Sequence, residues 1–209
     1  MRLPASAHTG RPWRVHAIAG DFALADVWRL PTPGGPDDLI HLVRQFSGTA
    51  PRTGGAAPEQ SSSPFAHPVA ATLLGLRWKL GALLGWDGPG TGIGARVPSL
   101  RERLPDDLRD GPRGPDARPI PFRSVYTTRD EWLAEIANRT VHAALHLGWV
   151  PDGSGGYHAQ MAVLVKPNGR FGRAYLAGIK PFRRFGVYPA MFEAAGRRWQ
   201  ETAALRATD

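Results

Sequence analysis

Between residues 122 and 183 apolar side chains recur at every second position, in short runs separated by turn formers. The runs read FRSVYTT, EWLAEIAN, TVHAALHLGWV, YHAQMAVLVKP and AYLAGIKPF. A period of two marks strands, because successive side chains of a strand point to opposite faces. Asn168-Gly169, in KPNGRF, has the composition of a tight hairpin turn. The pattern predicts an antiparallel meander. One or two further strands are expected in WRVHAIAGDFALADVWRLP.

The hairpins set a register. With Asn138-Arg139 as a two-residue turn, Ile136 faces Val141 and Ala134 faces Ala143, while Glu135 faces His142 and Glu131 faces His146. With Trp149 opposite Tyr157, Leu147 meets Ala159 and Leu145 meets Met161. The Asn-Gly turn then sets Met161 beside Leu176 and Val163 beside Ala174. All three hairpins partition the residues alike. One face collects Trp132, Ala134, Ile136, Val141, Ala143, Leu145, Leu147, Trp149, Tyr157, Ala159, Met161, Val163, Ala174, Leu176 and Gly178. The other is mostly polar. A one-residue slip would scramble both faces.

This reading decides the two histidines of TVHAALHLGW. On a helix, His142 and His146 would lie side by side, as in zinc proteases. On a strand they are about 13 Å apart, too far to share an ion that needs nitrogens about 2 Å away. Residues 143–145, Ala-Ala-Leu, also lack the protease glutamate. No metal site is expected. Each histidine instead pairs with a cross-strand glutamate, or the quartet Glu131, Glu135, His142 and His146 donates protons or touches a ligand.

Helical spacing appears in three places. In PDDLIHLVRQF it joins Leu39, Leu42, Val43 and Phe46. In PVAATLLGLRWKLGALLGW it joins Val69, Leu73, Leu76, Leu80 and Leu83. In YPAMFEAAGRRWQETA it joins Tyr188, Met191, Ala195 and Trp199. Residues 47–64 and 87–119, rich in Gly, Pro and Ser, are expected as flexible loops or insertions of one domain spanning 1–209. GTGIGA at 90–95 has dinucleotide-loop spacing, but Pro98 follows where the motif requires a helix, so no cofactor is expected.

With 209 residues, 42% of them apolar, the chain has enough material for a sizeable core. It has no cysteine, which excludes disulfides and thiolate metal sites and favours a reducing compartment. The first 20 residues lack a continuous apolar stretch, so a cytoplasmic location is expected. The apolar run at 69–86 is broken by Arg77 and Lys79 and is a poor membrane span. The net charge is +8, but all except three of the 26 basic residues are Arg. With Ala, Gly and Pro also abundant, this looks like coding bias, and no nucleic-acid partner is expected.

A curved antiparallel sheet whose apolar face receives a long C-terminal helix is a helix-grip α+β architecture. Small residues at Ala143, Ala159, Ala174 and Gly178 leave room for a cavity, unless Trp and Met fill it. The segments NRTVHAALHLGWV, YLAGIKPFRRFGVYPAMFEAAGRRW, RWKLGALLGWD and SLRERLPDDLRD resemble those of a bacterial domain-of-unknown-function family in the START-like SRPBCC superfamily. The resemblance covers the chain from about residue 65 onward. It implies a helix-grip fold with a hydrophobic cavity. Superfamily relatives bind lipids, sterols or polyketides, and some are cyclases or dehydratases. Family members occur fused to NAD(P)-binding epimerase-like domains, which implies an oxidoreductase as a possible partner.

The leading expectation is therefore a module binding a hydrophobic small molecule, lined by Trp132, Leu145, Trp149, Tyr157, Met161, Leu176 and Met191. The alternative is a cyclase, dehydratase or isomerase using Glu135, His142 and His146 for acid–base chemistry. Lys180, Arg183 and Arg184, where the last expected strand enters the helix, are candidates for holding an anionic group.

Overall fold

A computed structural model describes residues 1–49, 90, 92–118, 120–169, 172–173 and 188–206. The described elements are α1 (Ser6–Thr9), α2 (Val15–Ile18), β1 (Ala23–Arg29), α3 (Leu39–Ser47), a 3-10 turn (Leu100–Arg103), α4 (Asp106–Arg109), β2 (Arg123–Thr127), β3 (Glu131–Ala137), β4 (Val141–Pro151), β5 (Tyr157–Pro167) and α5 (Tyr188–Arg206). The expected runs at 122–167 are all strands. They form one antiparallel sheet in the order β1-β5-β4-β3-β2. Bulges between Leu24 and Asp26 and between Ser124 and Tyr126 bend its outer strands.

The faces are as the alternation requires, but the register differs by two residues. Ile136 pairs with Ala143, Ala134 with Leu145 and Glu135 with Ala144. Leu147 pairs with Met161 and Trp149 with Ala159. The β3–β4 turn is centred on Arg139-Thr140, because Asn138 Oδ1 accepts from the Thr140 and Val141 amides at 2.8 and 3.0 Å. Moving the turn by one residue shifts every pair by two and keeps each side chain on its face. On its other side Met161 pairs with Trp28 of β1. Its expected partner Leu176, together with Ala174 and the stretch at 69–86, lies outside the described residues.

Both edges of the sheet are occupied. Beside β1, the Leu3 amide donates to Val27 O at 2.9 Å and the Arg29 amide to Met1 O at 2.8 Å. Beside β2, Thr127 N donates to Pro112 O at 2.9 Å and Arg113 Nε to Ser124 O at 2.7 Å. Occupied edges do not offer a template for a foreign strand.

The apolar face carries helices. The α5 stripe Tyr188, Met191, Ala195 and Trp199 and the α3 stripe Leu39, Leu42, Val43 and Phe46 pack with Trp28, Trp132, Leu145, Leu147, Trp149 and Met161 in one buried cluster. The two helices also touch: Gln45 Nε2 donates to Ala195 O at 2.9 Å. Indole N–H groups fasten the cluster to the chain around it. Trp132 donates to Ser124 Oγ at 2.8 Å, Trp149 to Gly35 O at 2.7 Å and Trp199 to Pro33 O at 2.7 Å. These bonds satisfy polar atoms that burial would otherwise strand.

The mostly polar face is also covered. Residues 13–22 and 100–108 lie over it and form a second core of Trp13, Val15, Ile18, Phe22, Leu100, Leu104 and Leu108 against Leu133, Ala144, Ala162 and Leu164. The described part of the stretch expected as a loop at 87–119 is therefore packed at its centre. Ser99 there closes a capping box with Glu102 and starts the 3-10 turn. Arg14 pairs with Asp107, and Asp21 takes Arg103 at 2.5 Å and Lys166 at 2.7 Å, tying the covering pieces together and to β5.

Candidate functional site

Beneath that cover lies a layer of four titratable side chains from the two central strands. Glu131 and Glu135 stand four apart on β3, and His142 and His146 four apart on β4. They are 2%, 1%, 4% and 0% exposed. A bare carboxylate at such depth is costly unless several donors surround it. Both carboxylates have them.

Glu131 accepts from the Arg14 amide at 2.8 Å, the Val15 amide at 3.4 Å, the Tyr126 hydroxyl at 2.7 Å and His146 Nε2 at 3.1 Å. Glu135 accepts from Ser99 Oγ at 2.5 Å, the Leu100 amide at 3.0 Å and His142 Nε2 at 2.8 Å. Each carboxylate thus caps the first turn of one covering element and is held from behind by one imidazole. The amides at a helix start carry partial positive charge and lack partners of their own. The same device occurs twice: Glu131 with His146 seats α2, and Glu135 with His142 seats the 3-10 turn.

Burial pushes both carboxyls up, but the donors outweigh it. For Glu131 these are His146, the Arg14 amide and Tyr126; for Glu135 they are His142, Ser99 and the Leu100 amide. The net displacement of each is downward, so both remain anionic at neutral pH. Tyr126 moves the other way: burial first, and then the Glu131 charge beside it, hold the phenol well above its ordinary value.

The chain continues through a third histidine. His8 Nε2 lies 3.1 Å from His146 Nδ1, and His8 is 1% exposed. His16 stands edge-on to His8, ring centres 4.9 Å apart, and Trp13 lies 5.3 Å from the His146 ring. Burial, followed by the charge of His146, pushes His8 down to about 3. Tyr126, Glu131, His146 and His8 thus form one continuous hydrogen-bonded series from β2 to the N-terminal segment. Nothing in the sequence pattern marked His8 or Tyr126, whereas the Ser-x-x-Glu signature at Ser99 was readable. Among the described residues, no three His, Asp or Glu side chains gather as a metal-ligand set.

The ligand-lining candidates are on the opposite face. Trp132, Leu145, Trp149, Met161 and Met191 are buried in the helix-facing cluster, with Tyr157 half-buried against it. Trp149 stacks on Tyr157 at 6.5 Å and tilts against Trp199 at 5.9 Å. Leu176, Lys180, Arg183 and Arg184 lie outside the described residues. Next to the cluster, where the end of β1 meets the start of α5, is a groove of about 430 Å³. It is lined by Trp28, Leu30, Pro31, Pro189 and Phe192 together with Met1, Arg29 and Glu193. None of the six described candidates lines it. Trp28 connects groove and cluster, its ring 5.7 Å from Tyr188 and 5.2 Å from Phe192.

Among the described residues these features define an α+β domain built on a five-stranded antiparallel sheet, with helices packed on one face and a covered carboxylate–imidazole layer on the other. The chain belongs to the protein family of unknown function DUF2867, whose model matches residues 18–190. No curated protein and no solved structure matches the chain. No described helix is long and apolar enough to cross a membrane.

Proposed function

We propose that this domain is a helix-grip protein of the START-like SRPBCC type that binds a cytoplasmic small molecule with a largely apolar body and does not transform it. The observation that carries this reading is the groove beside α5. Its described lining is mostly apolar, two aromatic rings, two prolines, a leucine and Met1, joined by the charged Arg29 and Glu193. A volume of about 430 Å³ falls within the roughly 300–1,000 Å³ of small-molecule sites, which combine apolar walls with a few polar groups. The tryptophan-rich cluster backs the groove with a rigid floor.

Acid–base chemistry finds less support. Glu135, His142 and His146 lie across the sheet from the groove, and their hydrogen bonds are directed to covering elements and to one another. Their arrangement explains how the cover is held on.

Native mass spectrometry of protein purified without delipidation, with organic extraction of the same sample, tests the proposal. The expected result is a co-purifying apolar compound that is lost in Pro189→Arg, at a partly exposed residue of the groove, while the fold is kept. Absence of any co-purifying compound, together with no saturable uptake of fatty acids, sterols or aromatic polyketides, would overturn it.

A further inference from the structure

We propose that residues 5–20 form an acid-releasable cover on the sheet, kept closed by the contact of His8 with His146 and opened when both imidazoles take up protons. In the closed form His8 Nε2 and His146 Nδ1 face each other at 3.1 Å. That space holds one proton. Two cationic rings would set N–H against N–H, so the closed pair carries at most one charge. Once released, the two rings are separated and His8 titrates in water. Below the ordinary imidazole range the open form therefore binds more protons, and mass action favours it.

The surroundings offer a second charge little compensation. The titratable groups around His8 are His16 from α2, His146 from β4 and Glu131 from β3. The single carboxylate among them is turned toward His146, Tyr126 and the amides of Arg14 and Val15. The displacement of His8 to about 3 from 6.5 agrees with this geometry.

Further fastenings hold the same segment and must also be broken when it opens. Trp13, Val15 and Ile18 plug into the second core, and Gln160 Nε2 holds Ala7 O at 3.2 Å. The α5 side of the sheet belongs to the other cluster, and none of the groups around His8 reaches it. Opening is thus sub-global.

Amide hydrogen exchange, corrected for the intrinsic effect of pH, tests the proposal on the whole chain. Between pH 7 and pH 5 the protection of the Arg14 and Ala19 amides should fall about 20-fold, the linkage expected when one imidazole is held neutral. The Leu145 and Met161 amides should keep theirs. His8→Gln retains an N–H donor without titrating and should abolish the pH dependence. Unchanged protection in the cover, an equal fall in the sheet, or the same fall in His8→Gln would overturn the proposal. If His8→Gln leaves the cover unprotected even at pH 7, the ring resonances of native His8 decide: titration well below pH 5 supports the cover, and titration near 6.5 refutes it.

Discussion

Glu135 accepts a hydrogen bond from His142 Nε2 at 2.8 Å, although the two are not opposite in the ladder: Glu135 pairs with Ala144, and His142 with Ala137. The contact is diagonal. Glu131 and His146 repeat it at 3.1 Å, four residues further along each strand. A diagonal imidazole approaches its carboxylate from one side and leaves the other side open to the amides of a covering turn. Sheet and cover are joined through that choice.

Glu135→Gln should therefore loosen the cover more than the sheet. The amide keeps one acceptor oxygen but turns an N–H₂ group toward Ser99, the Leu100 amide or His142. Hydrogen bonds to charged groups are worth about 1.5–3 kcal/mol each, and a net loss of about 2–3 kcal/mol is expected in urea unfolding. Increased proteolysis within 99–110 should accompany it.

Stability should decline with acid in two stages. His8 is held neutral in the fold, down to about 3 from 6.5. The unfolded chain therefore takes up that proton first, and stability falls as pH drops from about 6.5 toward 3. Glu131 and Glu135 lie below their ordinary 4.5, so their contribution is complete above that value and is lost beneath it. Urea midpoints at pH 7, 5.5 and 4 should decrease in that order, most steeply over the last interval. A flat profile would contradict the buried layer.

Tyr126 should resist ionisation. Burial and the Glu131 carboxylate hold Tyr126 well above its ordinary value of 10.0. In an ultraviolet titration, one phenol should ionise only when alkali unfolds the protein. Tyr126→Phe should remove that late step and leave the earlier ones in place.

Gly148→Ala probes the seat of Trp13. A methyl at Gly148 would lie 2.7 Å from Trp13 Cζ2 and 3.2 Å from His146 Cε1. Overpacking of this kind costs about 1–3 kcal/mol. The expected result is lower stability, with Trp13 displaced in side-chain spectra and the α5 core unaltered.

Leu100→Ala distinguishes a packed segment from a loose loop. Leu100 is fully buried, and truncating a buried leucine costs about 2–5 kcal/mol. A change below about 0.5 kcal/mol would show that the stretch around 100 lies loosely on the surface.

The sequence by itself determined which residues between 122 and 167 are strand, which face each occupies, and the stripes of α3 and α5. Side-chain direction along a strand or helix is a local property, so Trp132, Leu145 and Met161 could be assigned together without knowing their partners. Pairing was not local. Both registers keep the same faces, and Asn138 Oδ1, by capping the Thr140 and Val141 amides, selected the one observed. Only the tertiary structure decided that β1 lies beside β5 and that the polar face is sealed. The segments that seal it have short turns and no long apolar period. Their leucines and His8 acquire meaning only against Glu131, Glu135, His142 and His146, because a buried charge is stable only where donors from distant parts of the chain converge on it.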